Sequence, residues 1–122
     1  MKTVFFLDDD SDFLEVMKLF VELNSKCSVQ TAISYNEIIA LKDTVLKSDL
    51  IFLDINLGPR SPSGLDVFRW LRKSGYARKI YFLTGHARHA PEVREAEACD
   101  DAVVLSKPFP YKDLLTLIQA EA

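Results

Sequence analysis

A chain of 122 residues, 48% apolar and 27% charged, has the size and composition of one globular domain spanning residues 1–122 around one core. Its formal net charge of −3 argues against a general nucleic-acid or anionic-membrane surface, and no run reaches the roughly 18 apolar residues of a membrane span. Cys27 and Cys99 lack any CxxC or Cys/His metal spacing and read as free thiols of a reducing cytoplasm, while the first apolar run is too short, and too soon followed by acids, for a signal peptide.

Five short apolar runs alternate with segments of helical period. The first run, Thr3–Leu7, leads into "DDDSD" at 8–12. Phe13, Val16, Met17 and Phe20 then recur at helical spacing, with Ser11 or Asp12 as the expected N-cap. After the second run, Ser28–Ala32, Ser34 and Glu37 have capping-box spacing ahead of one helix carrying Ile38, Leu41 and Val45. The third run, Leu50–Leu53, ends in Asp54. Ser63 and Gly64 precede a helix with Leu65, Val67, Phe68 and Leu71, for which Gly75 is the expected stop. The cluster Arg69, Arg72, Lys73, Arg78 and Lys79 reads as a solvated face, with Trp70 packing among it.

The fourth run, Ile80–Leu83, ends in "TGH". Pro91 is placed to open the next helix, within a segment 88–101 that offers little large apolar surface beyond Val93. Little burial predicts the most mobile helix of the chain. The fifth run, Ala102–Leu105, ends in "SKPF", and Pro110 is placed to open a last helix carrying Leu114, Leu115 and Ile118.

Runs such as "LIFL" and "IYFL" are apolar at every position, as parallel strands covered on both faces must be. Strand and helix alternating five times predict a doubly wound, right-handed α/β sheet, whose strand order this pattern alone leaves open. Ligands of such sheets gather at the carboxyl ends of the strands, so the residues just past each run matter most. These are Asp8, Asp9 and Asp10, then Asp54, Thr84 and Lys107: several carboxylates, one hydroxyl and one ammonium. Adjacent bare carboxylates repel and raise one another's pKa. A hard divalent cation such as Mg²⁺ removes that cost and commonly shares its site with phosphate. A carboxylate can also act as a nucleophile toward phosphorus.

With these residues in order, the chain resembles a receiver domain of a two-component response regulator, over essentially its whole length. "FFLDDDSDFLEV" is similar to that family's acidic segment after the first strand, "IFLDINL" to the phospho-acceptor segment, "FLTGH" to the hydroxyl segment and "LSKPF" to the Lys-Pro-Phe segment. The resemblance implies a flavodoxin-like, five-stranded parallel sheet of order 2-1-3-4-5 with helices on both faces. It implies that Asp54 accepts a phosphoryl group from the phosphohistidine of a sensor histidine kinase or histidine phosphotransfer protein. Asp9 and Asp54 would ligate Mg²⁺ directly, Asp8 would hold metal-bound waters, and the carbonyl of Asn56 would be the third protein ligand. Lys107 would pair with Asp54 and then with the phosphoryl group, Thr84 would turn its hydroxyl toward it, and Gly85 would leave it room. Pro108 would accommodate a cis bond before it. His86 and Asn56 occupy positions that tune the phosphoryl lifetime. Otherwise His86 and His89, without a matching Cys or acid motif, read as surface residues.

The same resemblance implies a cytoplasmic signalling protein that is not an enzyme beyond its own phosphorylation and slow autodephosphorylation. It implies a downstream protein partner, no direct contact with nucleic acid or membrane, and a weak dimer through the face built by the fourth helix, fifth strand and fifth helix. A chain stopping after the fifth helix reads as a stand-alone regulator, with a receiver excised from a longer protein as the open alternative. Two departures stand out. In "INLGPRSPSGLDVF" the order of Gly58 and Pro59 is swapped and Gly64 comes two residues late, and Val104 stands where the family carries an aromatic ring. Signalling is therefore expected through Thr84 and backbone shifts without a rotating ring. The alternatives are a phosphorylation-independent receiver-like scaffold and a haloacid-dehalogenase-type phosphatase. The latter has Thr or Val where this chain has Asp12, and an EF-hand would need Gly at Phe13 and Glu at Leu19.

Overall fold

All five apolar runs form parallel strands: β1 (Thr3–Leu7), β2 (Ser28–Ala32), β3 (Leu50–Asp54), β4 (Ile80–Thr84) and β5 (Ala102–Ser106), in the order β2-β1-β3-β4-β5. The computed structural model describes residues 2–58, 61–85 and 90–121. Around the sheet lie α1 (Ser11–Asn24), α2 (Tyr35–Ala40), α3 (Lys42–Leu46), α4 (Gly64–Lys73), α5 (Pro91–Glu97) and α6 (Tyr111–Glu121). The expected fold class and strand order both hold.

The strand sequences explain their positions. Every residue of β3 and β4 is buried, as is all of β1 after Thr3, whereas the edge strands β2 and β5 are only partly covered. Because side chains alternate across a strand, Phe5 and Leu7 enter one core and Val4 and Phe6 the other. The first core is roofed by α2, α3, α4 and α5, and the second by α1 and α6. In the second core, Phe52 stacks between Phe6 (4.8 Å) and Tyr81 (5.2 Å).

Helix ends follow local chemistry, with two departures from expectation. The N-cap of α1 is Asp10, not Ser11 or Asp12. Its extended backbone lets one carboxylate oxygen accept from the N–H groups of Asp12 and Phe13, both at 3.1 Å. The helix expected after Ser34 is two: at Leu41 the backbone N–H divides between the carbonyls of Glu37 and Ile38, tightening the turn. Ile38 and Val45, on either side of that break, are both fully buried. Ser34 caps α2 through Glu37 N–H, while the Glu37 carboxylate reaches back to Ile33 N–H. Ser63 and Asp66 close a full capping box on α4. That helix stops at Gly75, whose φ of +100° permits the paired bonds Gly75 N–H to Arg72 O and Tyr76 N–H to Leu71 O. Pro91 opens α5, and the carbonyl of Pro110 accepts the first bond of α6.

The basic cluster on and after α4 is not simply a solvated face. The Arg72 guanidinium donates to the carbonyls of Tyr76, Arg78, Asp100 and Asp101 and lies over the Phe68 ring. It therefore ties the turn after α4 to the turn after α5. Arg69 bridges Asp66 and Glu95 of α5, and Arg78 pairs with Asp49. Trp70 packs against the first core, as expected. Both cysteines are free and partly buried.

Candidate functional site

Parallel strands of equal length end together, and that places the reactive groups. In register, Asp54 lies beside Leu83 on the neighbouring strand, so Thr84 is one residue beyond it, paired with Ser106. Asp8 follows β1 directly, and Lys107 follows β5. The tertiary fold thus brings residues from positions 8, 54, 84 and 107 to one edge of the sheet.

Carboxylate oxygens of Asp8, Asp9 and Asp54 all lie within 4.8 Å of one another. Asp8 and Asp54 are buried, at 2% and 7% exposure, and Asp9 is exposed toward solvent. Lys107 reaches in from the opposite strand. Its ammonium is 2.5 Å from Asp8 Oδ2 and 3.7 Å from Asp54 Oδ2, so its closer ion pair is with Asp8. The other Asp8 oxygen accepts from Asp10 N–H at 3.0 Å, which leaves Asp8 well satisfied. The Phe13 ring lies 4.9 Å from the Lys107 ammonium and lends it a cation–π contact. The backbone N–H of Lys107 donates to Thr84 O at 2.7 Å, tying β5's exit to β4's, and the Lys107–Pro108 bond is cis.

These surroundings act unequally on Asp54. Burial, then the charge of Asp8, push its carboxyl up to about 7. Lys107 pulls the other way, Asp9 adds a further rise, and a hydrogen bond from the Asn56 backbone opposes it. The pocket therefore holds more negative charge than Lys107 offsets. That is a donor set fitted to a hard divalent cation. Mg²⁺ takes oxygen ligands at about 2.0–2.1 Å, so oxygens within a few ångströms of each other can share one ion directly or through its waters. Asp8, Asp9 and Asp54 could hold it.

The remaining expected site residues are placed as follows. Thr84 is buried at the end of β4. Asn56 is exposed, and its side-chain oxygen accepts from Gly58 N–H at 3.0 Å. Gly85 is exposed, and a methyl group there would meet nothing within 4 Å among the described residues. Pro59, Arg60, His86 and His89 lie outside the described residues. Val104 is partly buried, opposite Phe82 in register and packed on the first core.

Two residues acquire roles that spacing alone did not suggest. Phe13 was legible only as a helix core position, yet it faces Lys107. Gly64 comes late in its loop, yet its Cα packs onto the backbone of Asp54 itself: an added Cβ would sit 2.2 Å from the Asp54 carbonyl oxygen. Gly64 N–H also donates to Ile55 O at 2.8 Å. The signal was available in "SPSGLD", where a capping serine is followed by a glycine with no turn to require it.

Comparison with known proteins agrees with this geometry. The sequence profile of the response regulator receiver domain matches residues 4–119. No curated protein matches the chain by sequence. Among solved structures, the chain is similar to a response regulator receiver domain protein from Clostridium thermocellum at 25% identity, covering 99% of this chain and 94% of that one with a TM-score of 0.81. It is similar to a CheY-like receiver domain protein from Methanospirillum hungatei at 26% identity, with 98% and 92% coverage and a TM-score of 0.77. The chemotaxis protein CheY4 of Vibrio cholerae shares the fold at 24% identity, 100% and 99% coverage and a TM-score of 0.79. With its strand order, its three clustered carboxylates and its lysine across the sheet edge, this chain belongs to the response regulator receiver domain family.

Proposed function

We propose that Asp54 is the phospho-acceptor of a Mg²⁺-dependent signalling switch. The observation that carries this is the meeting of Asp8, Asp9 and Asp54 with Lys107 at the carboxyl ends of three strands, β1, β3 and β5. An Asp54 oxygen forms a bond to phosphorus as the P–N bond of a phosphohistidine breaks. The electron pair stays on the imidazole, which takes up a proton. The donor is a sensor histidine kinase or a histidine phosphotransfer protein. Bound Mg²⁺ supplies positive charge that offsets the phosphoryl oxygens and the acids. Asp9 and Asp54, with the Asn56 carbonyl, would hold it, and Asp8 would orient its waters.

The chain's own residues do the rest. Lys107 exchanges its contact with the carboxylates for one with a phosphoryl oxygen. Thr84 turns its hydroxyl to another, and Gly85, lacking a side chain, leaves room for the group. Joining β4 to β5 through Thr84 O and Lys107 N–H, this movement reaches the strand that borders α5 and α6. The output is a changed contact with a downstream protein in the cytoplasm. The protein acts on no substrate other than its own phosphoryl group.

Incubation with acetyl phosphate and Mg²⁺, followed by intact mass, tests the proposal. Gain of one phosphoryl group by the native chain and none by Asp54→Asn supports it. No gain with or without metal would favour a receiver-like scaffold that works unphosphorylated.

A further inference from the structure

The Lys107 ammonium has a partner besides the two carboxylates, and that partner is neutral. Its Nζ lies 2.5 Å from Asp8 Oδ2, 3.7 Å from Asp54 Oδ2, and over the Phe13 ring at 4.9 Å from the ring centre. The ring is firmly placed. Phe13 sits in the first turn of α1, its N–H bonded to the capping carboxylate of Asp10 at 3.1 Å, and its side chain packs against the second core. Beside it lies a cavity of about 310 Å³, lined in part by Phe13, Met17, Leu83, Lys107 and Phe109. The lysine thus has apolar surface for its methylene stem while its charged tip reaches the acids. Burial alone does not call for a ring at position 13. A leucine or methionine would also fill a half-buried core position, but it would offer the ammonium nothing. An aromatic face attracts a cation within about 6 Å of its centre.

The two kinds of partner differ in what a metal does to them. A divalent cation held among Asp8, Asp9 and Asp54 draws on the carboxylate charge that holds Lys107, and its own charge repels the ammonium. The ring has no ligand oxygen to give, so its hold on the ammonium is left intact. We propose that Phe13 is a positioning residue: its ring keeps the Lys107 ammonium at the edge of the site when a metal draws on the carboxylates, where it meets an oxygen of the incoming phosphoryl group. The inference rests on the reading of Asp54 as acceptor. Phe13 touches no reacting atom and acts only through Lys107. The Lys107 side chain is 27% exposed, so an ammonium released by the acids can swing into solvent. Transfer then proceeds only for the fraction of molecules that have it in place. A cation–π contact at such a partly exposed site changes that fraction by about two- to fivefold.

Mono-, di- and trifluorinated phenylalanines incorporated at position 13 test this, because they weaken the negative face of the ring in steps while barely changing its shape. With acetyl phosphate and saturating Mg²⁺, the rate of phosphoryl gain by intact mass should fall stepwise along the series, by about two- to fivefold in all, with the thermal melt unaltered. Phe13→Leu should react like the trifluorinated form. Phe13→Trp, for which the adjoining cavity leaves space, should keep the native rate or exceed it. A second readout needs no phosphorylation. In NMR spectra the Lys107 ε-methylene protons, shifted upfield by the ring, should stay so when Mg²⁺ is added to the native chain, and should lose that shift in Phe13→Leu. Equal rates along the series, or a rate that rises as the ring is weakened, would overturn the inference and leave the Asp54 reading standing. So would an upfield shift that disappears with Mg²⁺. A native chain that gains no phosphoryl group sinks the Asp54 reading, and this inference with it.

Discussion

Replacing Gly64 by alanine sets helix propensity against sterics, and the magnitudes decide the sign. In an open helix this change stabilises by up to about 1 kcal/mol. Here the new Cβ would stand 2.2 Å from Asp54 O, 2.9 Å from its carbonyl carbon and 3.0 Å from Ile55 Cα. All three are backbone atoms at the exit of β3, so no side chain can rotate away. Either α4 or the end of β3 must retreat by the better part of an ångström, and the 2.8 Å bond from Gly64 N–H to Ile55 O goes with it. Overpacking of a rigid site costs roughly 1–3 kcal/mol, and a lost buried hydrogen bond about 1 more. The expected net loss is about 2–3 kcal/mol. For a chain of this size that lowers the melting temperature by roughly 8–12 °C. Phosphorylation by acetyl phosphate should also slow, because Asp54 is the residue displaced. Gly75→Ala is the control. It adopts φ +100° but has no atom within 4 Å of an added Cβ, so it should cost roughly 1–2 kcal/mol of backbone strain and leave phosphorylation unchanged. A Gly64→Ala protein melting within a degree or two of the native one, with native phosphorylation, would refute the close-approach reasoning.

Further consequences can be checked separately. Because burial and Asp8 raise Asp54 to about 7, Mg²⁺ must displace a proton below that pH. Calorimetric affinity should then fall about tenfold per pH unit below 7 and level off above it, and Asp54→Asn should remove that dependence. The same raised carboxyl, in metal-free protein, contributes stability that is fully present below its ordinary value near 4 and lost as pH rises through 7, so the melt without Mg²⁺ should decline across that window. Asp10→Ala removes the cap of α1 and should cost about 1 kcal/mol in denaturant unfolding, more than Asp12→Ala, while only Asp9→Asn among these should weaken Mg²⁺ binding. In hydrogen exchange α5 should open before the other long helices, since Val93 and Ala96 are its buried anchors and no side chain caps it; protection equal to β3 would contradict this. With Val104 in place of a ring, Tyr81 and Phe82, at 2% and 0% exposure, should keep their rotamers when beryllofluoride occupies the site, and a flip in a crystal structure of that complex would count against signalling through Thr84 and the backbone.

The strands and the acids at their ends were legible because both signals are local. "LIFL" and "IYFL" are apolar at every position since helices cover both faces of the sheet, and the polar residues Asp54 and Thr84 enter only where each strand ends. Ser34, Ser63, Gly75 and Pro91 announced helix ends for equally local reasons: each caps or stops within one turn. The five residues "DDDSD" were harder to assign. Which acid caps α1 depends on where the chain turns out of β1, and that turn is shaped by Asp8 being drawn inward to Lys107, 99 residues away. The break at Leu41 was missed because no glycine or proline marks it. The ties made by Arg72 were missed because they join two turns that meet only in the folded chain.

By itself, then, the sequence determined the alternation of strand and helix, the doubly wound class of sheet it builds and the set of polar residues at the carboxyl ends of its strands, since each follows from patterning over a few neighbours. Only the tertiary structure decided how those residues divide their work. The tighter hold of Lys107 on Asp8 than on Asp54, the raised carboxyl of Asp54 and the contact of Gly64 with the Asp54 backbone all arise between segments remote in sequence. Charge–charge energies and steric contacts depend on distance in space, and here the packing of β1, β3 and β5 set that distance.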